Sequence, residues 1–308
     1  MAEPVRRRNP ALHAVLFALT LLSTFFAGGA YSAASTWGEA VRNGLMHMGA
    51  LMAILACHEA GHYVMARRNR VDVSLPYFIP FPVSLFGTLG AVIVMRGRIR
   101  SRDALMEIGA AGPLAGVAVA LPVLLAGLRL SPVEPMQAGG MMEGQSLLYM
   151  FLKRVAVGPI PAGHDVVLHP LAWAGWIGLL VTMVNLIPVG QLDGGHIAYA
   201  LWGKSHARIS RLAHAGLVLL GLCTAGRGAW DYLHAASPRA DAWMYVLPGS
   251  NWLVMGALLL VFGAVSKRGL SHPPTDDEVL SPRHRAIGWT CVLLFALVFM
   301  PVPLRPIL

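Results

Sequence analysis

The chain has 308 residues, of which 56% are hydrophobic and only 13% are charged. A soluble domain carries about 25% charged residues, so the composition excludes an ordinary soluble protein and indicates one that lies in a membrane. The net charge of +9 does not indicate nucleic acid as a partner, because the basic residues are not interleaved with aromatic ones.

Seven apolar segments follow one another along the chain, each near the length of about 20 residues that a helix needs to cross a bilayer. They predict an all-α polytopic membrane protein with about 6–7 transmembrane helices. The first also resembles a signal peptide, but it is longer than the usual apolar region, so we interpret it as a retained helix. The segments are 11–30, 44–65, 104–128, 171–187, 212–230, 252–265 and 286–302.

The basic residues predict the orientation. If the N-terminus is cytoplasmic and the segments alternate, most of the 24 lysines and arginines fall on the cytoplasmic side. High usage of Ala, Arg and Gly indicates a bacterial inner membrane, and a plastid origin is disfavoured because no transit-like segment precedes the first helix. The residues placed on the cytoplasmic side are Arg6, Arg7, Arg8, Arg67, Arg68, Arg70, Arg96, Arg98, Arg100, Arg102, Lys204, Arg208, Arg211, Lys267, Arg268, Arg283 and Arg285.

Residues 75–95, LPYFIPFPVSLFGTLGAVIVM, are apolar but do not follow a helical pattern. Pro76, Pro80 and Pro82 interrupt any helical hydrogen-bond ladder, and the end of the segment is β-branched. Such backbone is tolerated at membrane depth only where protein or a cavity surrounds it, so we predict a re-entrant loop or β-hairpin. Its edge strand offers an unwound substrate a pairing partner, and a loop that merely packs at the lipid surface is the alternative.

A charged motif, His58-Glu59-Ala60-Gly61-His62, interrupts the second apolar segment. Residues four apart share a helix face, so both imidazoles can reach one metal ion, with Glu59 beside it as a candidate general base. Ionisable groups at this depth need a partner, and zinc supplies one while keeping a coordination position for water. Two histidines that hydrogen-bond between helices are the alternative, and the full spacing favours the metal.

Asp193 is the predicted third ligand. It follows Pro188 and Gly190, which end the fourth predicted helix, and the two glycines after it let the backbone approach closely. The topology places it at the same membrane depth as His62, whereas a simple helix cap and turn is the alternative. His196 either orients Asp193 or is a solvated turn residue, and the usual exposure of histidine favours the second interpretation.

Together these motifs resemble the site-2 protease family of intramembrane metalloproteases. H-E-x-x-H in one helix and L-D-G at the end of a later one flank GAAGPLAG at 109–116, which is similar to the family's G-P-x-x-G element. We assign the Gly112 and Gly116 pair to close helix packing. PYFIPFP and NLIPVGQLDGGH resemble the compact bacterial and plastid branch, and the resemblance covers residues 44–201, about half of the chain.

The resemblance implies a single integral-membrane protease domain, residues 1–308, that encloses one zinc ion. It implies His58, His62 and Asp193 as metal ligands, Glu59 as the catalytic acid and base, and Asn185 as a residue that holds the substrate or the oxyanion. Residues 131–170 are too few for the PDZ domain that many members carry, so gating by such a domain is not expected. The extra C-terminal helices at 212–230, 252–265 and 286–302 have no assigned role.

The predicted function is therefore an intramembrane zinc endopeptidase that cleaves membrane-anchored protein substrates in regulated proteolysis, with no prediction of oligomeric state. A divalent-cation transporter is the main alternative, but it should carry ionisable residues along a path over several helices. Here they concentrate at two helix ends. A catalytically inactive scaffold of the same fold is disfavoured because the H-E-x-x-H motif is intact.

Overall fold

The computed structural model describes residues 10–31, 34–95, 99–136, 140–235, 241–265, 275 and 279–307. In these residues the helices are α1 Pro10–Tyr31, α2 Trp37–Arg68, α3 Arg102–Arg129, α4 Leu147–Val157, α5 Pro170–Asn185, α6 Asp193–Trp202, α7 His206–His234, α8 Ala242–Val265 and α9 Pro282–Val298. The strands pair antiparallel: β1 Tyr77–Pro80 with β2 Thr88–Val92, β3 Val133–Pro135 with β5 His164–Val166, and β4 Met141–Glu143 with β6 Leu304–Pro306.

The predicted all-α polytopic membrane fold is confirmed. Within the described ranges, five helical stretches are long and apolar enough to cross a membrane, namely α1, α2, α3, the stretch from α6 through α7, and α8. Helices α5 and α9, also predicted as spans, have 16 and 17 residues. Helix α5 is shorter than predicted because it ends at Asn185, before Pro188 and the turn at Gly190, whose φ is 57°.

Helices α2, α3 and α5 form the centre of the bundle. Ile54 of α2, Leu124 of α3 and Trp176 of α5 are all fully buried in one apolar cluster. The backbones of α3 and α5 approach closely at Gly175, where an added Cβ would lie 2.7 Å from the Cα of Leu124. Small residues at such crossings let membrane helices gain dispersion contacts, since lipid supplies no hydrophobic driving force between them.

The hairpin predicted at 75–95 forms from β1 and β2. Helix α1 holds one side of it: the His13 ring lies 3.0 Å from the carbonyl of Pro76, and the Ser23 hydroxyl donates to the carbonyl of Gly87 at 2.5 Å. At the turn, the Phe86 ring lies 5.9 Å from the ring of Trp173 on α5. The hairpin is therefore packed against helices along its length.

The described residues of the segment 131–170 fold over one end of the bundle around a buried ion pair. The Lys153 ammonium lies 2.9 Å from Glu143 and 2.6 Å from Asp165, and the Tyr149 hydroxyl donates to Glu143 at 2.8 Å. Burial raises the pKa of Tyr149 well above its usual value, and the negative charge of Glu143 adds to the effect. Tyr149 is therefore uncharged, and its hydroxyl stabilises the buried Glu143 carboxylate by donating a hydrogen bond to it.

The last turn of α2, the first turn of α3 and the first turn of α9 meet at the other end of the bundle, which we call the basic end. Arg67, Arg68 and Arg102 lie on these turns, and Arg283 and Arg285 lie on the start of α9. Seven basic residues that the sequence places on this side lie outside the described ranges: Arg6, Arg7, Arg8, Arg96, Arg98, Lys267 and Arg268.

We expect Gly175→Ala to destabilise the bundle, because the new Cβ meets the main chain of Leu124 rather than a flexible side chain. Overpacking of this kind costs about 1–3 kcal/mol. Thermal unfolding of the detergent-purified protein measures the loss. Gly49→Ala in α2 is the matched control, since its Cβ meets nothing within 4 Å and should be neutral or stabilising. Equal stability of the two variants would contradict this account of the α3–α5 crossing.

Candidate metal centre

Helix α2 presents His58 and His62 on one face, as the spacing of four residues requires. Their rings are 4.9 Å apart between centroids, and their Nε2 atoms are 3.1 Å apart. Both side chains are buried. The two imidazoles therefore converge on one point inside the bundle.

Asp193 reaches the same point from α6. Its Oδ2 atom lies 3.2 Å from the Nε2 of His58 and 3.2 Å from the Nε2 of His62. The sequence interpretation placed Asp193 at the end of the fourth helix, and that was wrong in detail. The helix before it ends at Asn185, the chain turns, and Asp193 is the first residue of the short helix α6. The turn brings the carboxylate back to the depth of the histidines.

These three residues could hold a metal ion, and they form the one such group found in the described part of the chain. Bonds of about 2.05 Å to a tetrahedral zinc ion separate its ligand atoms by about 3.3 Å. The observed separations of 3.1–3.2 Å match that spacing. Two imidazole nitrogens and one carboxylate oxygen are also a typical zinc donor set.

A main-chain carbonyl orients one of the imidazoles. The Nδ1 of His62 lies 2.7 Å from the carbonyl oxygen of Ile108 on α3, which leaves Nε2 to face His58 and Asp193. A histidine that donates Nδ1–H to such an acceptor presents a lone pair on Nε2, as metal ligation requires. The sequence analysis missed Ile108, because every residue has a carbonyl and no side-chain pattern marks this one.

Glycines of α3 leave room for the imidazoles. A Cβ added at Gly112 would overlap the Nε2 of His62, and one added at Gly116 would lie 3.1 Å from the Nδ1 of His58. The sequence interpretation assigned this pair to helix packing. The structure adds that the group packed against them is the pair of candidate ligands.

The remaining candidate residues lie around this group. Glu59 is 4% exposed and lies close enough to His58, His62 and Asp193 to interact with them electrostatically. The Nδ2 of Asn185, at the end of α5, lies 3.3 Å from the Nε2 of His58. Asn185 and the three candidate ligands are thus brought together from three different helices.

His196 does not lie where the sequence interpretation placed it. It is 6% exposed and lies inside α6, and an added Cβ at Gly109 would be 3.0 Å from its Cβ. The interpretation as a solvated turn residue was wrong, because the residues after Asp193 are helical. The sequence did carry a signal for a helix here. An apolar run follows His196, and the spacing of three residues between Asp193 and His196 fits the helical period.

Gly112→Ala should lower metal affinity by on the order of tenfold, because the new methyl group displaces the His62 ring from its carbonyl acceptor. Metal content of the purified protein, measured over a series of chelator concentrations, tests this. Gly49→Ala is again the control, since it adds the same methyl group without a neighbour. Unchanged metal retention in Gly112→Ala would show that the ring does not need this space.

The model of Peptidase family M50 matches residues 46–225, more than half of the chain. The chloroplastic protein of Oryza sativa subsp. indica named probable zinc metalloprotease EGY2 is 31% identical over 237 residues, covering 73% of this chain and 42% of that protein. The Arabidopsis thaliana protein named probable zinc metalloprotease EGY1 is 35% identical over 184 residues, covering 57% of this chain and 32% of that protein.

The chain therefore spans less than half the length of these curated relatives. No solved structure matches it. The family match contains α3, α5, α6 and the part of α2 from residue 46 onward, and these stretches carry every residue of the candidate metal centre. On this match, and in agreement with the motifs from which a resemblance was inferred, the chain belongs to Peptidase family M50.

Proposed function

We propose that this protein is an intramembrane zinc endopeptidase that hydrolyses peptide bonds in or near the transmembrane segments of membrane-anchored proteins. The observation that carries the proposal is the set of three donor atoms, 3.1–3.2 Å apart, on two buried histidines and a partly buried aspartate, with Glu59 beside them. The names of the relatives, which call them probable zinc metalloproteases, support the same metal and reaction.

In this proposal His58, His62 and Asp193 bind one zinc ion. Bound zinc would polarise the scissile carbonyl and acidify the attacking water. The carbonyl of Ile108 holds the His62 ring in its ligating tautomer, and both histidine side chains are buried while Asp193 is partly buried. The charge of Asp193 offsets part of the charge of a divalent cation.

Glu59 is the proposed general acid and base. Its carboxylate accepts a proton from the attacking water and then donates that proton to the leaving nitrogen of the cleaved peptide. Asn185 is the proposed oxyanion donor, because its amide nitrogen already lies 3.3 Å from the Nε2 of His58, at the edge of the group. The backbone of the substrate must be unwound before attack, since the carbonyls of a helix are already hydrogen-bonded.

The hairpin offers a place for the unwound substrate. Among the described strands, β2 pairs with β1 alone, so its second edge has no strand partner. Leu89 and Val92 on β2 are largely exposed. An extended segment that adds to this edge would gain main-chain hydrogen bonds in place of its helical ones.

We also propose a bacterial inner membrane as the location, with the N-terminus in the cytoplasm. The arginines of the basic end, on α2, α3 and α9, support the orientation, because Lys and Arg concentrate in short cytoplasmic loops. The basic end is then cytoplasmic, and the segment 131–170 lies on the opposite side of the membrane.

The proposed ligand set predicts the metal content of the protein and of its variants. Detergent-purified wild type should contain about one zinc ion per chain, whereas His58→Ala and Asp193→Ala should lose or weaken it, because two protein ligands bind zinc poorly. Elemental analysis after resupply and washing measures the content. Zinc that survives Asp193→Ala would remove this residue from the ligand set. Wild type that takes up no zinc would overturn the proposed function.

The proposed role of Glu59 predicts that its substitution separates zinc binding from cleavage. Glu59→Gln should keep zinc, since Glu59 is not in the ligand set, and should lose cleavage by a factor of about 10²–10⁴, the usual contribution of a general acid and base. Cleavage of a membrane-anchored substrate in reconstituted vesicles, beside zinc content, measures both quantities. Cleavage by Glu59→Gln at the wild-type rate would overturn the assignment of Glu59 as the base. Wild type that moves zinc across the vesicle membrane without cleaving the substrate would favour the transporter instead.

A further inference from the structure

A side-chain cluster at the basic end lies outside the candidate metal centre. His284, in the first turn of α9, lies between two carboxylates of α3: its Nδ1 is 3.2 Å from Asp103 and its Nε2 is 3.1 Å from Glu107. The Ser281 main-chain nitrogen donates to Asp103 at 2.9 Å, and the Ser281 hydroxyl lies 2.6 Å from the Nδ1 of His284. The start of α9 is thereby attached to the start of α3, with the His284 side chain only 13% exposed.

Glu107 also connects this cluster to α2, the helix of the two candidate histidine ligands. The side-chain amide of Asn69, the C-cap of α2, donates to the second Glu107 oxygen at 2.8 Å and to the carbonyl of Met65 at 3.0 Å. Both oxygens of Glu107 therefore have partners, one from α2 and one from α9. A carboxylate held from two sides by separate helices has little freedom to move.

Glu107 is directly bonded to Ile108, the residue whose carbonyl accepts from His62 at 2.7 Å. Both residues belong to the first two turns of α3, so a displacement of this part of the helix moves the Ile108 carbonyl with it. The contacts thus form a continuous chain from His284 through Glu107 and Ile108 to the ring of His62. This chain joins the start of α9 to the metal centre.

Packing gives α9 the rigidity that such a link needs. Gly288 lies so close to α3 that an added Cβ would be 2.6 Å from the Cε of Met106, and 2.7 Å from Leu201 of α6. Cys291 is buried in the same cluster as Met106 and Ile197. Helix α9 therefore packs on both α3, which carries Ile108, and α6, which carries Asp193.

We infer that His284 is a positioning residue of the metal centre, which holds Glu107 and thereby the Ile108 carbonyl in the place that orients the His62 ring. The inference rests on the proposed role of His62 as a zinc ligand. It gives the C-terminal helix α9, which lies beyond the residues matched by the family model, a function in catalysis. Loss of a direct partner of a ligating histidine costs about 10- to 100-fold in metal affinity, and we expect about 3- to 10-fold from this more remote position.

The test measures how fast zinc leaves the purified full-length protein when a chelator is added. His284→Ala should release zinc about 3- to 10-fold faster than wild type. His284→Phe, which keeps a ring but cannot hydrogen-bond, should do the same, and it decides the matter if His284→Ala does not fold. Leu294→Ala is the matched control, because it loosens α9 packing against the same cluster without touching Glu107.

Two further measurements separate positioning from general loosening. Glu107→Ala should release zinc at least as fast as His284→Ala, and the double variant should be no faster than Glu107→Ala alone, since both act through one link. The visible absorption of the cobalt-substituted protein, which reports ligand geometry, should change in His284→Phe and not in Leu294→Ala. With a membrane-anchored substrate, His284→Phe should lower kcat and leave KM unchanged.

The outcomes are distinguishable. If wild type binds no zinc, the proposed function fails before His284 is tested. If wild type binds zinc, but His284→Phe releases it no faster than Leu294→Ala, or the effects of His284→Ala and Glu107→Ala add, the inference is overturned and the proposed function stands.

Discussion

The structure depends on the cost of placing ionisable side chains inside an apolar membrane bundle. A carboxylate alone in such surroundings is strongly disfavoured, and two imidazoles add further polar groups that need partners. His58, His62 and Asp193 meet this cost by facing one another at 3.1–3.2 Å, the spacing of donors around one cation. Gly112 and Gly116 leave space for the two imidazoles, and the Ile108 carbonyl orients one of them.

Helix α3 forms one side of the candidate metal centre. Gly112 leaves the volume that the His62 ring occupies, and the Ile108 carbonyl fixes which nitrogen of that ring faces inward. Helices α2 and α6 both pack on α3, so the distance between the histidines and Asp193 follows from two helix crossings on one helix. A small change in either crossing moves a donor atom by a comparable distance, which is why small residues and buried polar links concentrate here.

The C-terminal helices differ in whether they pack on the helices of the candidate metal centre. Helices α7 and α8 pack mainly on each other, whereas α9 packs on α3 and α6 and shares the polar cluster at the basic end. The family match covers residues 46–225 and stops before α8 and α9. Contacts of α9 with α3 and α6 therefore extend the packed unit around the candidate metal centre beyond the part of the chain that the family match covers.

The sequence by itself determined the features that depend on neighbours along the chain. The apolar segments predicted α1, α2, α3, α5 and α7–α9 because a helix in lipid needs a continuous apolar stretch, and the prolines at 76–82 predicted the hairpin because they remove helical hydrogen bonds. The spacing of His58 and His62 predicted a shared face because the helical period is local. Only the tertiary structure decided that Asp193 meets His58 and His62, that His196 is buried against Gly109, that the Ile108 carbonyl orients His62, and that His284 reaches Glu107. Those relations join residues far apart in the chain, and they follow from how helices cross rather than from any local pattern.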